Sequence, residues 1–198
     1  HNRPYGFHKE PAFFVKLLSN RMFYVRSRNA YRRMNENKSL QEKNEKRLSY
    51  IPKEAQETFQ EHLQSLVAIA QAGGAEVILS SFATLYDVQA GFTESSMKNF
   101  SELQKNDLAS IYYFTPGLTV PAIFDGIVSY NKIISDVSSQ KKVFFVDNAR
   151  LIPHEDKYFI DRVHFSDSGA ALMAKNFAPY VEQLIDNKIN IQNQQQEP

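Results

Sequence analysis

The sequence predicts an α/β domain built on a parallel sheet, and three stretches carry that prediction. A long amphipathic segment stops at Gly73-Gly74 and gives way at once to the apolar run Ala75–Ser81. A second amphipathic segment, from about Pro121 to Ser138, leads into Val143–Val146. A third helical run begins around Ser168, after an irregular loop. Helix followed by a short apolar strand, twice over, is the pattern of units that build parallel sheets.

Composition bounds the rest. The chain has 198 residues, which suits one domain or a large part of one. It is 42% hydrophobic, 13% aromatic and 23% charged, the balance of an ordinary globular protein. A net charge of +1 offers no global attraction to nucleic acid. With no cysteine there is no disulfide framework, no thiolate chemistry and no Cys-bearing metal site. The chain starts His1-Asn2-Arg3-Pro4, without Met and without the basic, apolar and small-residue regions of a signal peptide, and is expected to be a processed or cut piece. Lys16, Asn20 and Arg21 interrupt the apolar stretch from Pro11 to Val25, so it cannot cross a bilayer as one apolar segment.

Taken in order, residues 1–10 read as turn, and residues 12–34 as a helix with Phe13, Phe14, Leu17, Leu18, Phe23 and Tyr24 on one side. From Arg21 to Arg47 there are nine Lys or Arg against three Glu. The expectation is a solvated face running into an exposed connection at 35–50, with a phosphate- or membrane-facing surface as the sharper reading. After Ile51-Pro52, a helix from about Lys53 repeats Ala55, Phe59, His62, Leu63, Leu66, Val67 and Ala70 at spacings of three and four, which predicts one buried face. His62 falls at the edge of that face, as a packed or solvent-facing ring. Residues 82–95 follow a strand's carboxyl end, where α/β proteins meet their ligands, and form a candidate rim. Ser96–Leu108 is expected to be helical, and Ile111–Phe114 a short strand or lid. The helix over 121–138 buries Ile123, Ile127, Tyr130, Ile133, Ile134 and Val137. The last helix is expected from Ser168 to about Ile185, with a polar, frayed tail over 187–198.

Chemistry concentrates in Asp161-Arg162-Val163-His164-Phe165-Ser166-Asp167-Ser168-Gly169. An acid and an imidazole stand three residues apart, directly before a helix whose N-cap is Ser166 or Asp167. A carboxylate that fixes an imidazole's tautomer, and an imidazole that moves a proton, are the acid and base of a nucleophilic triad. With the strand Val143–Asp147 before it, Leu151-Ile152-Pro153 and Tyr158-Phe159-Ile160 leading in, and the Gly169-bearing helix after it, the D-x-x-H block resembles the last conserved block of the SGNH (GDSL-type) hydrolases. The likeness covers about residues 143–185, and residues 53–82 as architecture alone.

The resemblance implies a three-layer α/β/α domain with a parallel, flavodoxin-like sheet of about five strands, of which residues 1–186 are the carboxyl-terminal portion. It implies a serine esterase or acyltransferase acting on acyl esters of sugars, lipids or small alcohols, with His164 as general base, Asp161 orienting it, and no metal or cofactor. The family's nucleophile lies in a Gly-Asp-Ser block after the first strand. Neither that block nor a Gly-x-Ser-x-Gly elbow occurs here. Two strands also fall short of a stable parallel sheet. The first strands and the nucleophilic Ser are therefore expected upstream of His1 or on a second chain. Asn2 is the candidate oxyanion donor, as the cut end of a Gly-x-Asn-Asp block, with Arg3 where that block has Asp. Family habit and the lack of Cys lean towards a periplasmic or secreted setting.

Other readings compete. Ser80 and Ser81 sit where a strand-end nucleophile would, but without the elbow's glycines, and turn hydrogen bonding is their expected part. His154-Glu155-Asp156 with Asp161 and His164 puts five potential ligands within eleven residues, which suits Zn²⁺ or Mn²⁺. A non-catalytic domain of the same fold, binding through its basic residues 21–33, is the third.

Overall fold

The computed structural model describes residues 47–92, 99–101, 103–104, 107–108, 111, 115 and 117–194. The expected basic helix over 12–34, Asn2, most of the 35–50 connection and residues 195–198 lie outside them. The architecture is α/β: helices with a small parallel sheet. In chain order the elements are α1 (Lys53–Ala72), β1 (Ile78–Ser80), α2 (Val120–Lys141), β2 (Phe144–Val146), α3 (Asn148–Leu151) and α4 (Asp167–Gln194). A 3₁₀ turn at Val88–Ala90 follows β1.

Both strands form inside the apolar runs that predicted them. They pair in parallel, Ile78 with Phe144, Leu79 with Phe145 and Ser80 with Val146. Each is three residues long: Gly74 at φ +78° and the left-handed Lys142 at φ +54° turn the chain just before each run, and the first residue of each run, Ala75 or Val143, still bonds back to the preceding helix.

α2 is the central helix, touching α1 and both strands. Thr119 caps it by accepting from the Ala122 N–H, Pro121 suits its first turn, and Phe124 and Val137 are fully buried. Gly126 lets Ile51 lie flat on its surface, since a Cβ there would come within 2.6 Å of the Ile51 side chain. α1 packs on α2 through Phe59 against Tyr130, ring centroids 4.8 Å apart, and through Gln64 donating to Gln140. Its inward stripe is narrower than the expected one, keeping Phe59, Leu63, Val67 and Ala70 and leaving Ala55 exposed. Val67 is buried, whereas Leu66 and Ile69 are 65% and 70% exposed, and His62 faces solvent. Among the described elements α1 has a single main helical partner, so a narrow seam replaces the broad face that apolar spacing suggested.

Residues 83–88, apart from Asp87, are buried, so much of the described part of the expected rim, 82–92, is interior, and 93–95 lie outside the described residues. Tyr86 and Val88 join Val120, Phe124 and Ile111 in one core cluster, and Ala83 and Leu85 join Ile152 and Phe159 in another. Leu103, Gln104, Asp107 and Leu108 are helical, as expected. Ile111 is helical as well, against the expected strand, and 112–114 lie outside the described residues.

α4 starts where the motif placed it but runs on to Gln194, past the expected end near Ile185. No Gly follows Ile185, and Ile189 continues the spacing at four, so nothing local stops the helix. Its first turn lies unusually close to the chain before it. A Cβ on Gly169 would stand 2.0 Å from the Tyr158 carbonyl oxygen, which is backbone and cannot swing aside. Among the described residues no helix is long and apolar enough to cross a membrane. Gly169→Ala is expected to cost about 3 kcal/mol or more by overpacking this contact, measured as a lower urea midpoint with an unchanged slope.

Candidate active site

Asp161 and His164 occupy a tight turn whose two ends are pinned together. Phe159 and Phe165 form an antiparallel bridge, their rings 5.1 Å apart. The Ile160 N–H donates to the His164 carbonyl at 2.9 Å and the Ser166 N–H to the Tyr158 carbonyl at 3.0 Å. Beyond the bridge Ser166 caps α4: its hydroxyl accepts from the Gly169 N–H at 3.2 Å and donates to the Lys157 carbonyl. Of the two expected caps, Ser166 takes the position and Asp167 adds negative charge to the first turn, where the helix dipole favours it.

Within the turn, Asp161 folds back on its own backbone. Oδ1 accepts from the Val163 N–H at 3.0 Å and the His164 N–H at 2.9 Å. Both carboxylate oxygens also face the ring, Oδ1 at 2.9 Å and Oδ2 at 2.8 Å from His164 Nδ1. A carboxylate can only accept, so Nδ1 carries the proton and the neutral ring keeps its lone pair on Nε2. The His164 side chain is 70% exposed, and no hydrogen bond occupies Nε2 among the described residues. Partial burial pushes the Asp161 carboxyl up, but hydrogen bonds from the Val163 and His164 N–H groups and then from the ring outweigh it, leaving the carboxyl below its usual range.

The other candidates are occupied elsewhere. Ser81 is buried: its hydroxyl donates to Asp147 Oδ1 and accepts from the Ala149 N–H, both at 2.8 Å, which ties β1 to the start of α3. Ser80 donates to the Ser81 carbonyl and accepts from Asn148. Neither hydroxyl meets an imidazole, so both do the local bonding expected of them. His154 Nδ1 lies 2.7 Å from the Thr84 carbonyl and must donate to it, and its Nε2 is 3.9 Å from Asp87. His154 is thus a strut between two loops. Among the described residues no group of three or more His, Asp or Glu side chains is arranged to hold a metal ion, so the set His154, Asp161 and His164 does not come together as a site.

No family model, curated protein or solved structure matches this chain.

Several contacts around the site escaped sequence reasoning. The buried Asn148 accepts from Asn176 of α4 and donates to Ser80, joining β1, α3 and α4. Asn131, on α2, accepts from the Phe82 N–H at 2.7 Å and donates to the Phe82 carbonyl at 3.0 Å, pairing with that residue as a neighbouring strand would. A polar residue between Ile127 and Ile134 on an apolar stripe was a readable signal. An apolar cleft of about 570 Å³ opens beside this point, walled by Phe59, Phe82, Tyr130 and Met173, and no residue of the Asp161–His164 turn lines it.

Two outcomes are expected. A lowered folded-state value means that the Asp161 carboxylate favours the fold above the unfolded value of about 4 and that this contribution fades as pH falls through the folded value. Urea midpoints of wild type and Asp161→Asn should therefore differ most near neutral pH and converge on acidification. Ser81→Ala should cost about 1 kcal/mol for the lost cap and hydrogen bond, with no effect on labelling by an acyl-enzyme probe.

Proposed function

We propose that this chain carries the acid–base part of a serine esterase or acyltransferase of SGNH type, within a three-layer α/β/α domain. The observation that supports it best is the protonated Nδ1 of His164 facing the two oxygens of Asp161, with an exposed ring whose Nε2 takes no hydrogen bond among the described residues. Such a ring is competent to take a proton and later return it.

The proposed steps use that geometry. Nε2 removes the hydroxyl proton of a serine outside the described residues, expected from the family's order to precede His1. The serine oxygen attacks the acyl carbonyl, and the tetrahedral adduct collapses as the imidazolium returns its proton to the leaving alcohol. Water, or an acceptor alcohol, then attacks the acyl-serine with Nε2 again as base. Asp161 keeps the ring in the right tautomer and steadies its positive charge while remaining ionised itself. Asn2 is the proposed oxyanion donor. The substrate class is an acyl ester of a sugar, lipid or small alcohol.

A fluorophosphonate probe on the full-length protein, followed by peptide mapping, tests this. The expected label falls on a serine outside residues 47–194, and His164→Ala slows labelling by about 10⁴-fold. Labelling of folded His164→Ala at the wild-type rate would sink the proposal. Folded wild-type protein that takes no label would favour a non-catalytic binding module.

A further inference from the structure

We propose that Arg162 is a positioning residue for the Asp161–His164 pair, acting through an ion pair with the buried Asp107. The inference deepens the proposed function and depends on it only for the catalytic consequence.

The bridge between Phe159 and Phe165 pins the ends of the turn but does not reach its apex. Arg162, at the apex, reaches the buried interior through both its backbone and its side chain. Its carbonyl accepts from the Leu85 N–H at 2.9 Å, and its guanidinium Nη1 lies 3.4 Å from Asp107 Oδ1. Both anchors are firmly set. Leu85 is fully buried and its carbonyl takes the Gln104 side-chain amide at 2.8 Å, while the Asp107 side chain is only 7% exposed. Gln104 also accepts, through its carbonyl, from the Tyr86 hydroxyl at 2.7 Å. Burial pushes the Tyr86 phenol far above its ordinary range, Asp107 adds to that and Arg162 opposes it, as expected where the three share one poorly solvated region.

With side chains only 22% and 7% exposed, the Arg162–Asp107 pair is little screened by solvent, so the buried carboxylate holds the facing guanidinium. The backbone of Arg162 lies between Asp161 and Val163, and the Val163 N–H is one of the donors that aim the Asp161 carboxylate. Fixing the apex therefore fixes the carboxylate, and the carboxylate selects the ring tautomer. A shift of about 1 Å in such a group costs on the order of a hundredfold in rate.

The test uses full-length protein with ¹⁵N-labelled histidine. Ring nitrogen shifts report whether the proton sits on Nδ1 or Nε2, a reading that a mere loss of stability does not move while the protein stays folded. Wild type is expected to show the Nδ1–H form. Arg162→Gln should move His164 towards the Nε2–H form and slow fluorophosphonate labelling ten- to a hundredfold, and Arg162→Lys should recover most of both. Asp107→Asn, which keeps the shape and removes the charge, should move the tautomer the same way and serves if Arg162→Gln fails to fold. An unchanged tautomer in either folded variant overturns the proposal. If the tautomer moves but wild type takes no label, the positioning assignment stands and the catalytic reading falls.

Discussion

The contact that the site depends on is the one between the first turn of α4 and the Tyr158 carbonyl. Only a residue without a Cβ permits it, and Gly169 supplies that residue. With the helix start held there, Ser166 reaches back to cap it and to bond Lys157, and the Phe159–Phe165 bridge closes between them. The turn carrying Asp161 and His164 is thus a short excursion between two fixed points. An exposed dyad on a long free loop would lose its geometry to conformational entropy; this one has little left to lose.

A second constraint works from inside. The chain after β1 runs through the interior, and its polar groups must find partners there. Thr84 offers its carbonyl to His154, Leu85 donates to Arg162, Phe82 pairs with Asn131, and Ser81 bonds to Asp147 and Ala149. Each bond satisfies a buried group and also fastens a neighbouring loop or helix. In this way the segment that resembled a ligand rim is the frame on which the 147–165 region is hung. The histidine it takes up is His154; His164 is left exposed.

Much of the element order could be read directly. Double glycine, apolar run and helical spacing at three and four mark β1, β2, α1, α2 and the start of α4 because each is a local property of a few neighbouring residues. The pairing of Asp161 with His164 was legible too, since the two are three residues apart and one turn brings them together. The width of the α1 face was not: Leu66 matches the apolar spacing yet points outward, because burial depends on which partner lies alongside. The extent of α4 was misread for lack of any stop signal, where polar composition had suggested an early end.

What the sequence by itself determined, then, is whatever short-range chemistry decides: where strands and helices begin, that an acid and an imidazole form a pair, and that a helix cap follows them. What only the tertiary structure decided are the choices among equivalent side chains. It withdrew Ser80, Ser81 and His154 into internal hydrogen bonds, left His164 Nε2 open among the described residues, and brought Arg162 to Asp107 across more than fifty residues of chain. The physical reason is that a hydrogen bond or ion pair needs its partner within about 3 to 4 Å, and residues distant in sequence reach that range only when the whole chain is folded.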